Sequence, residues 1–303
     1  MIRCRLLLLI SLLAGARAYA QLPACSRGRI ERIPDFQSKY VTPRHIDVWL
    51  PDGFTAGKGY GVLYMHDGQM LFDSAATWNR QSWEMDETGA SLQKGKDKFI
   101  IVGIWNSGSG RHADYFPQKP FEAMTRTEKD SLTAQLQRAG RTTAVFNPVS
   151  DLYLKFITEE LKPAIEKKYG IRSDRKHTWI AGSSMGGLIS LYAICEYPDV
   201  FGGAVCLSTH WPGTFSLENN PFPEAYRNYL HRKLPNPRNH RIFFDLGDQA
   251  LDAMYPPLQR QIDVVMRKAG YRKNWITLYL MDEDHSEKSW RKRMPAALNF
   301  LLD

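Results

Sequence analysis

The chain has 303 residues, 43% of them hydrophobic, four cysteines and a formal net charge of +8. That length suits one large α/β core or two small ones. The absence of Lys/Arg blocks interleaved with aromatics argues against a nucleic-acid binder, and the cysteines show neither C-x-x-C spacing nor a disulfide framework.

Residues 1–20 read as a secretory leader. Arg3 and Arg5 form a positive start, 6–13 is apolar, and Ala18-Tyr19-Ala20 is a small-residue cleavage site. The apolar run is too short to span a bilayer, so no transmembrane span is expected. Cleavage before Gln21 would deliver 21–303 as one catalytic domain to a secreted or periplasmic location. Loss of Arg3, Arg5 and Arg17 would lower the net charge to +5, which suits solubility or weak attraction to acidic polysaccharide. A competing reading places a lipid anchor on Cys25 in Leu22-Pro23-Ala24-Cys25, but Cys25 lies far from the apolar run.

Strands are expected at 28–33 and 45–50, the second closed by the turn Pro51-Asp52-Gly53. The apolar runs 61–66 (GVLYMH) and 99–105 (FIIVGIW) read as strands buried on both faces, with a helix at 82–93 between them. From 106 to 148 the pattern weakens apart from a short helix near 127–138. A stretch this long reads as a lid or binding loop. An amphipathic helix at 151–169 places Leu152, Phe156, Ile157, Leu161, Ile165 and Tyr169 at helical spacing and stops at Gly170. Strands at 178–181, 201–207, 241–246 and 275–281 alternate with helices at 188–196, 256–269 and 288–302, and 212–239 reads as a Pro-rich loop. Strands alternating with helices imply a mostly parallel sheet whose functional groups gather at the carboxyl ends of its strands.

Gly182-Ser183-Ser184-Met185-Gly186 is a G-x-S-x-G between strand and helix, the arrangement of a nucleophile elbow. The chain reverses within a few residues and holds Ser184 at the tip. Gly182 and Gly186, without Cβ atoms, allow strand and helix to approach.

A serine hydroxyl needs a neutral imidazole to accept its proton and a carboxylate to orient that imidazole. In such folds the order along the chain is Ser, acid, His. His231 lies in a polar segment, His240 at the wrong edge of the sheet, and no strand-end acid separates His210 from Ser184. His285, just past the last strand, satisfies both order and edge. The acid belongs to the loop after 241–246, where Asp248 and Asp252 both qualify. The developing oxyanion needs two backbone N–H donors, assigned to Met185, after the nucleophile, and to Gln69, after the strand ending at His66. His66 and Asp67 have no third ligand at metal spacing, so no metal and no cofactor is expected.

DVWLP (47–51), VLYMHDGQMLFD (62–73), WEMDE (83–87), IVGIWN (101–106), AGSSMGGL (181–188), LDAMYPPLQ (251–259) and DHSEKSW (284–290) resemble the putative-esterase family. Its members include esterase D, siderophore esterases, feruloyl and acetyl-xylan esterases and the antigen 85 mycolyl transferases. The resemblance implies an α/β-hydrolase fold with a mostly parallel central sheet flanked by helices. It also implies a nucleophile at Ser184 and a base at His285. Its D-x-x-Y-x-P-x-Q segment is matched by Asp252, Tyr255, Pro257 and Gln259, which selects Asp252 over Asp248.

The expected function is a secreted serine carboxylic-ester hydrolase acting through an acyl-enzyme on a small-molecule or polysaccharide-linked ester, including carbohydrate-linked acyl or feruloyl esters. Trp211, Tyr115 and Phe116 are expected to line an aromatic or sugar pocket. The alternatives are an acyl transferase on the same triad, a siderophore-ester hydrolase and a catalytically silent carbohydrate-binding protein.

Overall fold

Eight strands form one sheet in the order β1-β2-β4-β3-β5-β6-β7-β8 in the computed structural model, which describes residues 22–93 and 98–302. The expected leader and its cleavage site before Gln21 lie outside these residues. Strands β1 (Arg29–Phe36) and β2 (Arg44–Leu50) are antiparallel, and β2 is antiparallel to β4 (Phe99–Ile104). All other pairings are parallel, through β3 (Gly61–His66), β5 (Thr178–Ser183), β6 (Gly203–Leu207), β7 (Arg241–Leu246) and β8 (Trp275–Tyr279).

The central strands carry apolar residues on both faces because helices cover both. Val62 and Tyr64 of β3 join the larger core with Leu188 of α7 (Met185–Glu196), Tyr226 of α8 (Phe222–Lys233) and Val265 of α9 (Pro256–Lys268). Leu63 and Met65 point the other way, into a second core with Met85 of α1 (Met85–Leu92) and Leu298 of α10 (Glu287–Leu302). This period-2 alternation divides each strand between the two layers.

Two expectations are corrected. The stretch 106–148 holds the helix expected near 127–138, α4 (Arg126–Arg138), and two unexpected ones, α2 (Arg111–Tyr115) and α3 (Gln118–Glu122). A capping box starts α4: Thr125 accepts from the Glu128 N–H, and the Glu128 carboxylate accepts from the Thr125 N–H. The Pro-rich 212–239 is not all loop. Pro221 and Pro223 stand at the start of α8, where a missing N–H and a preset φ favour a helix. The expected helix 151–169 is an unbroken helical run, but it passes through a π-helical segment, Phe156–Leu161, between α5 (Ser150–Lys155) and α6 (Lys162–Tyr169).

The parallel register brings the carboxyl ends of β3, β5, β6, β7 and β8 to one edge. The loops after β7 and β8 cross there. The Glu283 carbonyl accepts from the N–H groups of Asp248 and Gln249, each at 3.1 Å, and a Cβ on Gly247 would fall 1.9 Å from that carbonyl oxygen. Only glycine permits the crossing without a shift.

Candidate active site

Ser184 has φ 56° and ψ −120°, a sparsely populated conformation for a residue with a side chain, and is the residue before α7. It persists because its neighbours fix it. Its N–H donates to the Leu207 carbonyl at 2.9 Å, and its own carbonyl accepts from His210 at 3.1 Å and Leu188 at 3.1 Å. A Cβ on Gly182 would lie 2.7 Å from the Gly186 backbone, so the close approach expected of the elbow is present.

His285 follows β8. Its Nδ1 lies 2.6 Å from Asp252 Oδ1, and its ring meets Trp290 edge to face at 4.9 Å between centroids. Asp252 is fully buried in the short helical turn Ala250–Met254. Its second oxygen, Oδ2, accepts from Ser208 Oγ at 2.6 Å and from the Gly247 N–H at 2.7 Å. Trp290 Nε1 donates to the same Ser208 hydroxyl at 3.0 Å. Asp248 does other work, accepting from the Asp282 N–H at 2.9 Å. Geometry thus pairs His285 with Asp252.

Behind Asp252 lies a second buried acid. Asp245 Oδ1 accepts from the Ser208 N–H at 3.0 Å and from Arg293 Nη1 at 3.2 Å, and Arg293 Nη2 stands 3.9 Å from Asp252 Oδ2. Burial pushes the Asp245 carboxyl up to about 7, against the pull of the Arg293 charge.

On the opposite side, Gln69 is the middle residue of a 3₁₀ turn, Gly68–Met70, and Met185 opens α7. Helix-opening N–H groups of this kind lack intrahelical partners. Both residues line the same cleft as Ser184 and His285. A Cβ on Gly68 would meet the Gly103 carbonyl carbon at 2.5 Å, so the turn lies directly on β4. Asp67 precedes it at φ 57°. Arg111 donates to its two oxygens at 2.6 and 2.7 Å, and Asn106 Nδ2 to Oδ1 at 2.7 Å. Burial raises the Asp67 carboxyl, but Arg111 outweighs it and holds the group below its ordinary value. His66 is pushed down to about 3 by burial and bonds Tyr153 Oη through Nδ1 at 2.8 Å. Among the described residues no group of three or more His, Cys, Asp or Glu stands together in a way that could hold a metal ion.

The cleft has a volume of ≈ 1080 Å³. The segment 106–148 contributes Asn106, Arg111, Arg141, Thr142 and Asn147 to its walls. The three aromatics expected there are elsewhere. Trp211 is buried against Tyr226 and Phe244, with Nε1 donating to Gln259 at 3.0 Å. Phe116 is buried against Phe222 and Phe146. Tyr115 is buried under Arg111, and its hydroxyl accepts from the Asp67 N–H at 3.2 Å. Their apolar area fills the core and supports the Asp67 loop, and the aromatics lining the cleft are instead Trp78, Trp83, Phe146, Phe215 and Trp290, of which Trp78 is 85% exposed.

Residues 39–301 match the family model described as "Putative esterase". The chain belongs to this family. The ferri-bacillibactin esterase BesA of Bacillus subtilis (strain 168) is 29% identical over 57% of this chain and 56% of its own length. Among solved structures, the ferulic acid esterase AmCE1/Fae1A of Anaeromyces mucronatus aligns with TM-score 0.60 and 18% identity over 93% of this chain and 92% of that one. The enterobactin esterase FES of Shigella flexneri aligns with TM-score 0.64 and 16% identity over 92% of this chain and 60% of that one. At these identities the two structures speak for the fold. The chain is therefore an esterase of α/β-hydrolase fold, with a mostly parallel sheet between two helical layers.

Sequence reasoning missed Ser208, Arg293 and Trp290 around Asp252. Ser208 carried one legible signal, its place immediately after a strand at the carboxyl edge. Ser208→Ala removes a hydrogen bond to a buried carboxylate, worth about 1.5–3 kcal/mol. The expected result is a kcat on p-nitrophenyl acetate lowered roughly ten- to a hundredfold with little change in KM; an unchanged kcat would show that Asp252 does not depend on this hydroxyl.

Asp245 generates a stability prediction. A carboxyl raised above its ordinary value of 3.8 holds its proton more tightly folded than unfolded. Its contribution is therefore fully present below that ordinary value and is lost as pH rises through about 7. Urea unfolding of the wild type relative to Asp245→Asn should show a stability difference that moves against the wild type across this window. A pH-independent difference would contradict the raised value.

Proposed function

We propose that the protein is a secreted or periplasmic serine carboxylic-ester hydrolase that works through an acyl-enzyme, with Ser184 as nucleophile, His285 as general base and acid, and Asp252 as the residue orienting His285. The observation that carries the reading is the 2.6 Å bond between His285 Nδ1 and Asp252 Oδ1 in a cleft shared with the strained Ser184. The bond to Asp252 fixes the Nδ1 proton and leaves Nε2 to accept from Ser184.

Ser184 Oγ attacks the ester carbonyl carbon as its proton passes to His285 Nε2. The N–H groups of Gln69 and Met185 receive the negative oxygen of the tetrahedral intermediate. Collapse breaks the bond to the alcohol oxygen, which takes the proton from His285. Water then gives its proton to His285, attacks the acyl carbonyl and releases the acid and Ser184. The chemistry requires no cofactor. No described helix is long and apolar enough to cross a membrane.

The cleft lining favours an ester on a carbohydrate. Gln69, Gln81 and Asn147 bring side-chain amides to the walls, groups that can both donate and accept, the pattern sugar hydroxyls require. Trp78 adds a large exposed ring to the lining. Asp67 is neutralised by Arg111, and Arg141 lies over Phe215 at 4.8 Å, so the walls present no cationic cluster facing a polyanion. A siderophore ester is the second reading, favoured by the similarity to BesA.

Ser184→Ala should lower hydrolysis of p-nitrophenyl acetate by about 10⁴-fold or more without changing the unfolding midpoint, and should abolish fluorophosphonate labelling. Retained turnover would remove Ser184 from the mechanism and favour a silent binding protein. Product analysis with added sugar acceptors separates hydrolysis from acyl transfer. Trp78→Ala should leave p-nitrophenyl acetate kinetics unchanged while raising KM on acetylated xylo-oligosaccharides roughly two- to tenfold, the worth of one aromatic contact. Equal KM values would take the sugar away from this wall.

A further inference from the structure

At the end of the sheet opposite the cleft, the two segments that lead into β7 and β8 carry cations and no acid. One runs from the last turn of α8 into β7, HRKLPNPRNHR (231–241), and the other from the last turn of α9 toward β8, RKAGYRKN (267–274). They lie against each other. Tyr271 Oη donates to the Pro235 carbonyl at 3.1 Å, Asn274 Nδ2 to the Pro237 carbonyl at 2.8 Å, and the Ile242 N–H to the Asn274 carbonyl at 3.0 Å. Arg232, Lys233, Arg238, Lys268, Arg272 and Lys273 are all exposed on the corner so formed.

This charge is not cancelled locally. Among the described residues no ion pair joins any of the six to a carboxylate, whereas Arg227, earlier on α8, has Glu224 at 3.9 Å. Asp263, the one acid of α9, is buried and turned inward to Gln259, Thr277 and Tyr279. Asp199 is exposed in the turn before β6, and a single carboxylate there does not balance six cations. Helix electrostatics accounts for part of the pattern. Cations in a last turn offset the negative end of the helix dipole, which covers Arg232, Lys233 and Lys268. Arg272 Nη1 donates to the Arg267 and Tyr271 carbonyls at 2.9 and 2.7 Å and so closes the end of α9. Arg238 and Lys273 lie beyond both helices, and no hydrogen bond, ion pair or ring contact engages either side chain among the described residues. Like charges gathered on one surface repel, and a polyanion brought to that surface relieves the repulsion.

We propose that this corner is a docking surface for an acidic polysaccharide, a polymer with carboxylates on its sugars, which holds the protein while the cleft stays open. The choice of a polysaccharide rests on the carbohydrate-ester reading; the surface itself does not. Helices that settle on an anionic bilayer present Trp, Phe or Leu beside their basic residues. Neither segment exposes a large apolar side chain, and Trp275, where β8 begins, is half-buried with the Arg267 guanidinium 5.9 Å from its ring. Three of the six cations are arginines, whose planar fork matches a carboxylate. β7 begins at the corner and ends at Gly247, which bonds Asp252. Six residues rising about 3.3 Å each put the two ends about 20 Å apart, so a polymer held at one end leaves the other free.

Fluorescence anisotropy with labelled polygalacturonate tests this. The wild type should bind at about 20 mM salt and release the polymer by about 300 mM, as screening shortens. The combined variant Arg232→Gln, Arg238→Gln, Lys268→Gln and Lys273→Gln should weaken binding at least about tenfold, from four surface charge contacts. A control that removes four exposed cations elsewhere, Arg126→Gln, Arg138→Gln, Lys155→Gln and Lys167→Gln, should lose no more than about threefold. Saturating polymer should leave p-nitrophenyl acetate kinetics of the wild type unchanged. No binding at low salt overturns the proposal, and so does equal loss in the two variants, which would reduce the effect to net charge. Inhibition of p-nitrophenyl acetate turnover would put the polymer in the cleft and overturn it as well. Tighter binding to phosphatidylglycerol vesicles than to polygalacturonate would make the partner a membrane. Should the combined variant not fold, the wild-type salt series, the inhibition assay and the vesicle comparison still decide. Ser184→Ala should bind the polymer like the wild type, so the fate of Ser184 as nucleophile is read separately.

Discussion

A carboxylate with no solvent contact must be satisfied by the protein or not be there at all, and the architecture at the sheet edge follows from that requirement at Asp252. Its donors come from separate parts of the chain: His285 after β8, Ser208 after β6 and the Gly247 N–H after β7. Arg293 adds charge from α10 at 3.9 Å. These groups meet only if β6, β7 and β8 pair in register, with Leu207 opposite Asp245 and Asp245 opposite Leu278. A slip of one residue would turn Asp245 away and lift Ser208 off Asp252. Burial of one acid therefore couples the alignment of three strands to the orientation of one imidazole.

The same edge carries much of the backbone strain. Of the nine non-glycine residues with positive φ among the described residues, Asp67, Ser184, Ser208, Ala250 and Asp282 follow the carboxyl ends of β3, β5, β6, β7 and β8. Each such conformation costs on the order of 1–3 kcal/mol and persists only where its surroundings over-determine it. The compensating bonds are visible at four of the five. Asp67 is held by Arg111 and Asn106, Ser184 by Leu207 and His210, and Ser208 by both the carbonyl and the side chain of Asp245. Asp282 donates to Asp248. Strain is stored where strands hand over to loops, and the bonds that retain it are the bonds that place the site.

The fold was legible where local pattern and burial agree. The runs GVLYMH and FIIVGI are apolar on both faces because both faces are covered, and the strand–Gly-x-Ser-x-Gly–helix unit carries its own geometry. Legibility failed where one residue type serves two environments. Proline at 221 and 223 reads as a breaker but starts a helix. Trp211, Tyr115 and Phe116 read equally well as pocket or core, and only partners distant in sequence, such as Gln259 beneath Trp211, decide for the core. The choice between Asp248 and Asp252 was open on spacing because both follow β7; the D-x-x-Y-x-P-x-Q likeness favoured Asp252, and side-chain direction pairs that residue with His285. Ser208 and Arg293 act through contacts separated by 44 and 48 positions, which no local pattern records.

The segment 106–148 reads from sequence as a lid, and its anchoring limits how a lid could move. A negative carboxylate at Asp67, one residue before the turn that holds Gln69, would oppose charge developing on a substrate oxygen. Arg111, on α2, neutralises it with two short bonds while its guanidinium lies over Tyr115. Asn106 reaches the same turn, donating its backbone N–H to the Gln69 side chain at 3.2 Å and its amide to Asp67. Lifting the start of this segment would expose an unpaired acid beside the Gly68–Met70 turn and loosen the turn itself. Its first ten residues are therefore part of the fixed floor of the cleft. Any adjustment to substrate falls to the far end, where Gly140 at φ 66°, Arg141 and the exposed Val145 line the cleft with far fewer bonds to the rest of the protein.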